Sequence, residues 1–205
     1  GAGSGVYLHG AVVTAGIGAH ALKEFAMKDP NVYLAVDAAN LLYSTNKPMQ
    51  VNYEALIEFA QRRGHLIESS IYVPRANQSE RDRGLLLSLK YAGYTRVISR
   101  PLRRRPDNAH KSDIDVALTI DVWEAALHCR MDVLILASGD SDFLPLIEQV
   151  NQRGIAVDVV GPNQCTAWEL IVASTHFCHA SDVDGLLTHG AAPRQLTLQE
   201  AIRTV

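Results

Sequence analysis

From Val32 onward the chain alternates short apolar runs with amphipathic segments, and this alternation constrains the fold more than any other feature. Val32–Val36 reads as a buried strand. Asn52 to Arg63 places Leu56, Ile57, Phe59 and Ala60 at helical spacing and stops at Gly64. The pattern predicts further strands over Leu66–Val73, Tyr94–Ser99, Asp132–Ala137 and Ile155–Val160. Helices are expected over Ser79–Tyr91, Asp113–His128, Phe143–Gln152 and Ala167–Ala173, with a short strand-like piece at His176–Cys178. Ser112 is the expected N-cap of the long helix. Strict alternation of this kind predicts an α/β fold whose mostly parallel central sheet is covered on both faces.

The 205 residues suit one such domain with short extensions. The expected domain covers 32–186. It is preceded by a leader and N-terminal extension, 1–31, in which Ala19–Met27 suits a short helix. Residues 187–205 form a tail whose Thr197-Leu198-Gln199-Glu200 is a capping box that suits one more helix. Gly1–Gly5 reads as a flexible leader and is set aside. A net charge of −3 gives no global signature of nucleic-acid binding, so any such surface must be local. The three cysteines, Cys129, Cys165 and Cys178, show neither a disulfide frame nor zinc spacing, which favours a reducing cytoplasm. No apolar run approaches the roughly 20 residues that span a bilayer.

A parallel sheet gathers its strand-to-helix turns on one edge, where open α/β sheets place their sites. Asp37 ends the first strand there. Asp140 and Asp142 follow the fourth strand in Ser138–Phe143, and Asp113 and Asp115 open the long helix. Neighbouring carboxylates repel unless a cation or proton lies between them. An all-oxygen set suits Mg²⁺ or Mn²⁺ rather than zinc. Asp121 lies six residues past Asp115, about 600° around the helix, so it is a weaker candidate or acts from behind. The loop from Arg100 to Lys111 is rich in cations. Acids for metal beside cations for phosphate is the composition of a nuclease. Arg103, Arg104, Arg105, Lys111 and Ser138 are the candidate substrate contacts, and Tyr43 is placed to stack on a base. Simpler roles compete. Asp140 and Asp142 suit a helix cap, Asp113 and Asp115 suit the helix dipole, and Arg103–Arg105 suit a solvated loop. A phosphate-binding G-x-x-x-x-G-K-[ST] loop is missing from the sequence, and position 39 is alanine where an aspartyl-phosphate enzyme has a second Asp.

Val36–Leu41, Lys111–Asp121, Leu136–Phe143 and Gly154–Gly161, in this order and spacing, resemble the LabA-like branch of the NYN domain family, within the PIN-like nucleases. The resemblance covers roughly residues 32–186. It implies a three-layer α/β/α sandwich and metal-dependent cleavage of RNA, single strands above all, with DNA left open as a substrate. Carried over by motif, Asp37, Asp115, Asp140 and Asp142 are the metal carboxylates, with Asn40 beside them in the catalytic set. Asp121 matches an acid that recurs in this branch. PIN-like domains commonly pair through exposed helices, which implies a homodimer. The first motif usually reads Asp-Gly-x-Asn, whereas Ala38 stands here in place of the glycine. A turn needing positive φ would be strained by alanine. The alternative reading is a regulator that keeps the fold and binds RNA or protein without cutting.

Overall fold

The computed structural model describes residues 29–43, 49–75, 80–101, 103–104, 110–111 and 113–189. The expected helices at Ala19–Met27 and after Thr197, the capping residue Ser112 and the cation Arg105 lie outside this set.

Six strands form the central sheet: β1 (Asn31–Asp37), β3 (His65–Arg75), β4 (Arg96–Pro101), β7 (Val133–Ala137), β8 (Ala156–Gly161) and β9 (His176–His179). Their order is β4-β3-β1-β7-β8-β9, and every pairing is parallel. The central strands are apolar on both faces, which is why they read as continuous apolar runs rather than alternating ones. Val32, Leu34 and Val36 of β1 enter one core with Leu41, Leu56, Ala60 and Leu89. Tyr33 and Ala35 enter the other with Leu118, Val122, Ile147 and Leu170. Helices α1 (Ala38–Tyr43), α2 (Glu54–Arg63) and α3 (Glu80–Tyr91) therefore cover the first face. Helices α4 (Ile114–His128), α5 (Leu144–Gln152) and α6 (Trp168–Ala173) cover the second. The result is a three-layer α/β/α sandwich.

Three features depart from the sequence pattern. Helix α1 starts directly at the end of β1, with no intervening loop. The short strands β2 (Met49–Val51) and β10 (Leu187–His189) pair antiparallel outside the main sheet, so the start of the expected tail is tied back onto the domain. The basic loop includes a two-residue hairpin, β5 (Arg103–Arg104) with β6 (His110–Lys111).

One buried charge is offset locally. Asp158, in the middle of β8 and 4% exposed, accepts from Arg63 Nε at 2.6 Å and pairs with His176 Nδ1 at 2.9 Å. These contacts tie α2 and β9 to β8. Among the described residues no helix is long and apolar enough to cross a membrane.

Candidate functional site

Sheet order reverses direction between β1 and β7. From β1 the chain builds outward to β3 and β4, then returns to lay down β7, β8 and β9 on the other side. The carboxyl ends of β1 and β7 therefore flank the crevice that open α/β sheets use for ligands. Asp37 ends β1 and Ser138 follows β7, one residue beyond the pair Val36↔Ala137.

A chain of hydrogen bonds sews the two strand ends together. Asp37 Oδ1 accepts from the Asn40 N–H at 3.1 Å, and Asp37 Oδ2 accepts from Ser138 Oγ at 3.2 Å. Ser138 Oγ accepts in turn from the Asp140 N–H at 3.2 Å. Asn40 Oδ1 accepts from the Gly139 N–H at 2.8 Å. Asp37 is thus held from both sides, and Asn40 locks α1 to the acid turn. Ser138 is fully buried, and its hydroxyl is engaged by Asp37 and the Asp140 N–H, which makes it a positioning residue rather than a surface for substrate.

Burial pushes the Asp37 carboxyl up to about 6, and the charges of Asp115 and Asp140 push in the same direction. Hydrogen bonds from Asn40 and Ser138 pull the other way but do not prevail. The shift reflects a buried carboxyl at the strand end, within electrostatic reach of Asp115 and Asp140. Asp115 comes from the first turn of α4, and Asp140 from the turn after β7. Asp142 stands exposed in the 3-10 turn Ser141–Phe143. The capping role of Asp140 is realised alongside, since its Oδ1 accepts from the Asp142 N–H at 3.0 Å. Among the described residues no three His, Cys, Asp or Glu side chains are gathered at metal-ligand spacing. Mg²⁺ requires less than that. It keeps several waters and commonly takes one or two carboxylates plus substrate phosphate. The carboxylate of Asp37, with Asp115 and Asp140 close enough to act on its charge, offers the hard oxygen donors that such an ion takes.

Other expected residues are placed differently. Asp121 is engaged by partners on β3 and β4. It accepts from Tyr72 Oη and from Arg96 Nη2, each at 2.9 Å, and Arg96 also reaches Glu68 at 3.2 Å. Asp121, the weaker candidate, is part of a polar network that joins α4 to β3 and β4. Arg103, Arg104 and Lys111 lie in the β5–β6 hairpin. Tyr43 closes α1, but its side chain is outside the described residues. Ala38 opens α1 in a right-handed helix, so the feared positive-φ strain does not arise. Its carbonyl accepts from Tyr53 Oη at 3.0 Å, a brace on the first motif that no local sequence signal announces.

The sequence profile of the NYN domain matches residues 31–182, about three quarters of the chain. The chain belongs to the NYN domain family. This NYN domain has a nuclease-type α/β fold. It is 25% identical over 130 residues to the uncharacterized protein MJ0482 of Methanocaldococcus jannaschii, a match covering 63% of this chain and 47% of that protein. The chain thus spans about half the length of that curated relative. Among solved structures it is similar to a Vibrio parahaemolyticus protein of unknown function, VPA0982. The TM-score is 0.69 and the identity 27%, over 79% of this chain and 98% of that one.

In this NYN domain the acid turn leans on the loop after β8. The Ala167 N–H donates to Gly139 O at 2.9 Å, and a Cβ on Gly139 would lie 2.8 Å from Thr166 Cα and 3.0 Å from Pro162 Cδ. Gly139 is required by this close approach. We expect Gly139→Ala to cost about 1–3 kcal/mol, the usual cost of overpacking, by pushing the two loops apart. Urea unfolding measures the cost, and unchanged stability would show that the loops yield freely.

Proposed function

We propose that this NYN domain is a metal-dependent ribonuclease of the LabA-like, PIN-like type, active on single-stranded RNA. The buried carboxyl of Asp37, bonded to Ser138 at the switch point of a parallel sheet and in the field of Asp115 and Asp140, carries this reading. In it, Asp37, Asp115 and Asp140 would hold Mg²⁺ or Mn²⁺, with Asp142 at the rim. The ion, when bound, supplies charge for the phosphate and acidifies a water. The chain's own residues do the rest. Ser138 and the Asn40 N–H fix both oxygens of Asp37, so the carboxylate enters the site oriented. Asn40 keeps the Gly139 turn, and with it Asp140, in register. Burial of Asp37 lowers the local dielectric and strengthens every charge interaction there. Arg100 and the cations of the β5–β6 hairpin lie on the segment joining the carboxyl end of β4 to α4, where they suit the negative backbone of RNA. The free cysteines Cys129, Cys165 and Cys178 accord with a reducing cytoplasm.

The test is cleavage of a labelled single-stranded RNA in Mg²⁺ or Mn²⁺ by the wild type and by Asp140→Asn. Asparagine keeps the cap on the Asp142 N–H, so the fold is retained while a charge is removed. Cleavage falls at least about tenfold in the variant, the scale of a lost ligand-shell group. Equal cleavage by both proteins would assign the activity to a contaminant. The alternative, an RNA- or protein-binding regulator that does not cut, draws on the absence of a closed metal-ligand cluster among the described residues. Calorimetric titration with Mn²⁺ separates the two, since a regulator of this kind takes up no metal at millimolar concentrations.

A further inference from the structure

Helix α6 starts at Trp168, directly after Ala167, whose N–H is bonded to Gly139 O at 2.9 Å. Gly139 directly precedes Asp140, and α6 packs against the turn Ser141–Phe143 that carries Asp142. The start of α6 is therefore tied by the backbone to the turn that carries Asp140 and Asp142. Trp168 is nevertheless 67% exposed. Among the described residues no ring or cation packs over it, whereas Trp123 has Arg153 at 4.7 Å from its centroid. Tryptophan is on average among the more buried residues, so such exposure beside a candidate site is informative.

An open surface groove of about 660 Å³ lies between α5 and α6, with Trp168 in its lining. Leu144, Trp168 and Val172 give it apolar surface, and Glu148, Gln152 and Glu169 give it polar groups. Two carboxylates repel a phosphate, so the sugar–phosphate backbone is a poor occupant. They accept hydrogen bonds from amino groups, and the indole offers a flat π-face. A neutral, planar group carrying N–H donors satisfies both. The exocyclic amine of cytosine, for example, pairs with Glu or Asp acceptors, and bases stack on aromatic side chains in single-strand binders.

We infer that Trp168 is the stacking platform for one unpaired, amine-bearing nucleobase adjacent to the phosphodiester at the acids, with Glu148 or Glu169 accepting from its amino group. This rests on the reading of the acids as an RNA-cleaving site, to whose turn the start of α6 is tied through Ala167 and Gly139. It gives the domain a preference for single strands, because a paired base has its face and its amine already engaged.

The test measures binding of short labelled oligocytidylate and oligouridylate, without added divalent metal, to the wild type, Trp168→Ala and Trp168→Phe. Trp168→Ala weakens oligocytidylate binding by about tenfold or more, as expected for a lost base stack. Trp168→Phe retains most of the binding. Wild type prefers oligocytidylate to oligouridylate, and the preference collapses in Trp168→Ala. Equal oligocytidylate binding by wild type and Trp168→Ala, with wild-type cleavage intact and dependent on Asp140, overturns the platform and leaves the nuclease reading standing. Failure of the wild type both to bind and to cleave RNA overturns the two together. Light scattering adds a last outcome. If Trp168→Ala separates a dimer without changing RNA affinity, the face serves a second copy of the chain and the base platform is wrong.

Discussion

Asp37→Asn is expected to remove cleavage and, in the same protein, to raise the stability of the metal-free fold. The loss of activity is at least about a hundredfold, the scale seen when a group that stabilises developing charge is deleted. The gain in stability follows from the position of the carboxyl. In the folded protein it titrates at about 6, against an ordinary value of 3.8, because it is buried and faces Asp115 and Asp140. Between these values the folded state binds more protons than the unfolded chain, so wild-type stability falls as pH rises through the window. A difference of this size between the folded and unfolded carboxyl corresponds to about 3 kcal/mol. Asparagine has no charge to bury and escapes the fall. The variant should match the wild type near pH 4 and exceed it by about 2–3 kcal/mol at pH 8 in the presence of a chelator. Added Mg²⁺ reverses the order, because ligand binding to the folded state stabilises the wild type and has little to bind in the variant. Urea unfolding at both pH values, with and without Mg²⁺, provides the check. A variant no more stable than the wild type at pH 8 would mean that the Asp37 carboxylate is not held charged at a cost by its burial and its acidic neighbours.

Phe143→Ala carries the largest stability cost we expect at the site, about 3–5 kcal/mol. Phe143 is fully buried in the second core, yet it follows Asp142 and ends the 3-10 turn. It is the peg that fixes the acid turn to Leu146, Ile147 and Leu170 beneath it. Truncation leaves a cavity under the turn and frees it, so activity should fall further than the folded fraction explains. Phe143→Leu fills most of the space and loses less of both. Thermal unfolding and residual activity, measured on the same samples below the melting range, separate the two effects. Activity that tracks folded fraction alone would show that the turn holds its shape without the ring.

The sheet was legible because strands buried on both faces leave uninterrupted apolar runs such as Val133–Ala137. Helix α1 was not, since Ala38–Tyr43 is short and has no acidic first turn or basic last turn to mark its ends. Strands β2 and β10 were missed for a different reason. At three residues each, they exist only through each other, and the pairing is a long-range contact. At the site, strand-end position alone brought Asp37 and Asp140 to the same edge. What it could not reveal was how they are fixed. The bond from Ser138 to Asp37 spans 101 residues and that from Gly139 to Asn40 spans 99. Asp121 shows the same limit, because its partners Tyr72 and Arg96 come from two other strands.

The interleaved order of the sheet also bears on when the site comes into being. β1 is made before its neighbour β7, which is drawn from the second half of the domain, and the acid turn leans on Ala167 later still. No chain ending before Ser138 has the arrangement that orients Asp37. A ribosome is itself made largely of RNA, and a nascent chain lies against it throughout translation. On the proposed nuclease reading, acids divided in this way between the two halves of the domain stay unassembled until β7 and its turn have been made.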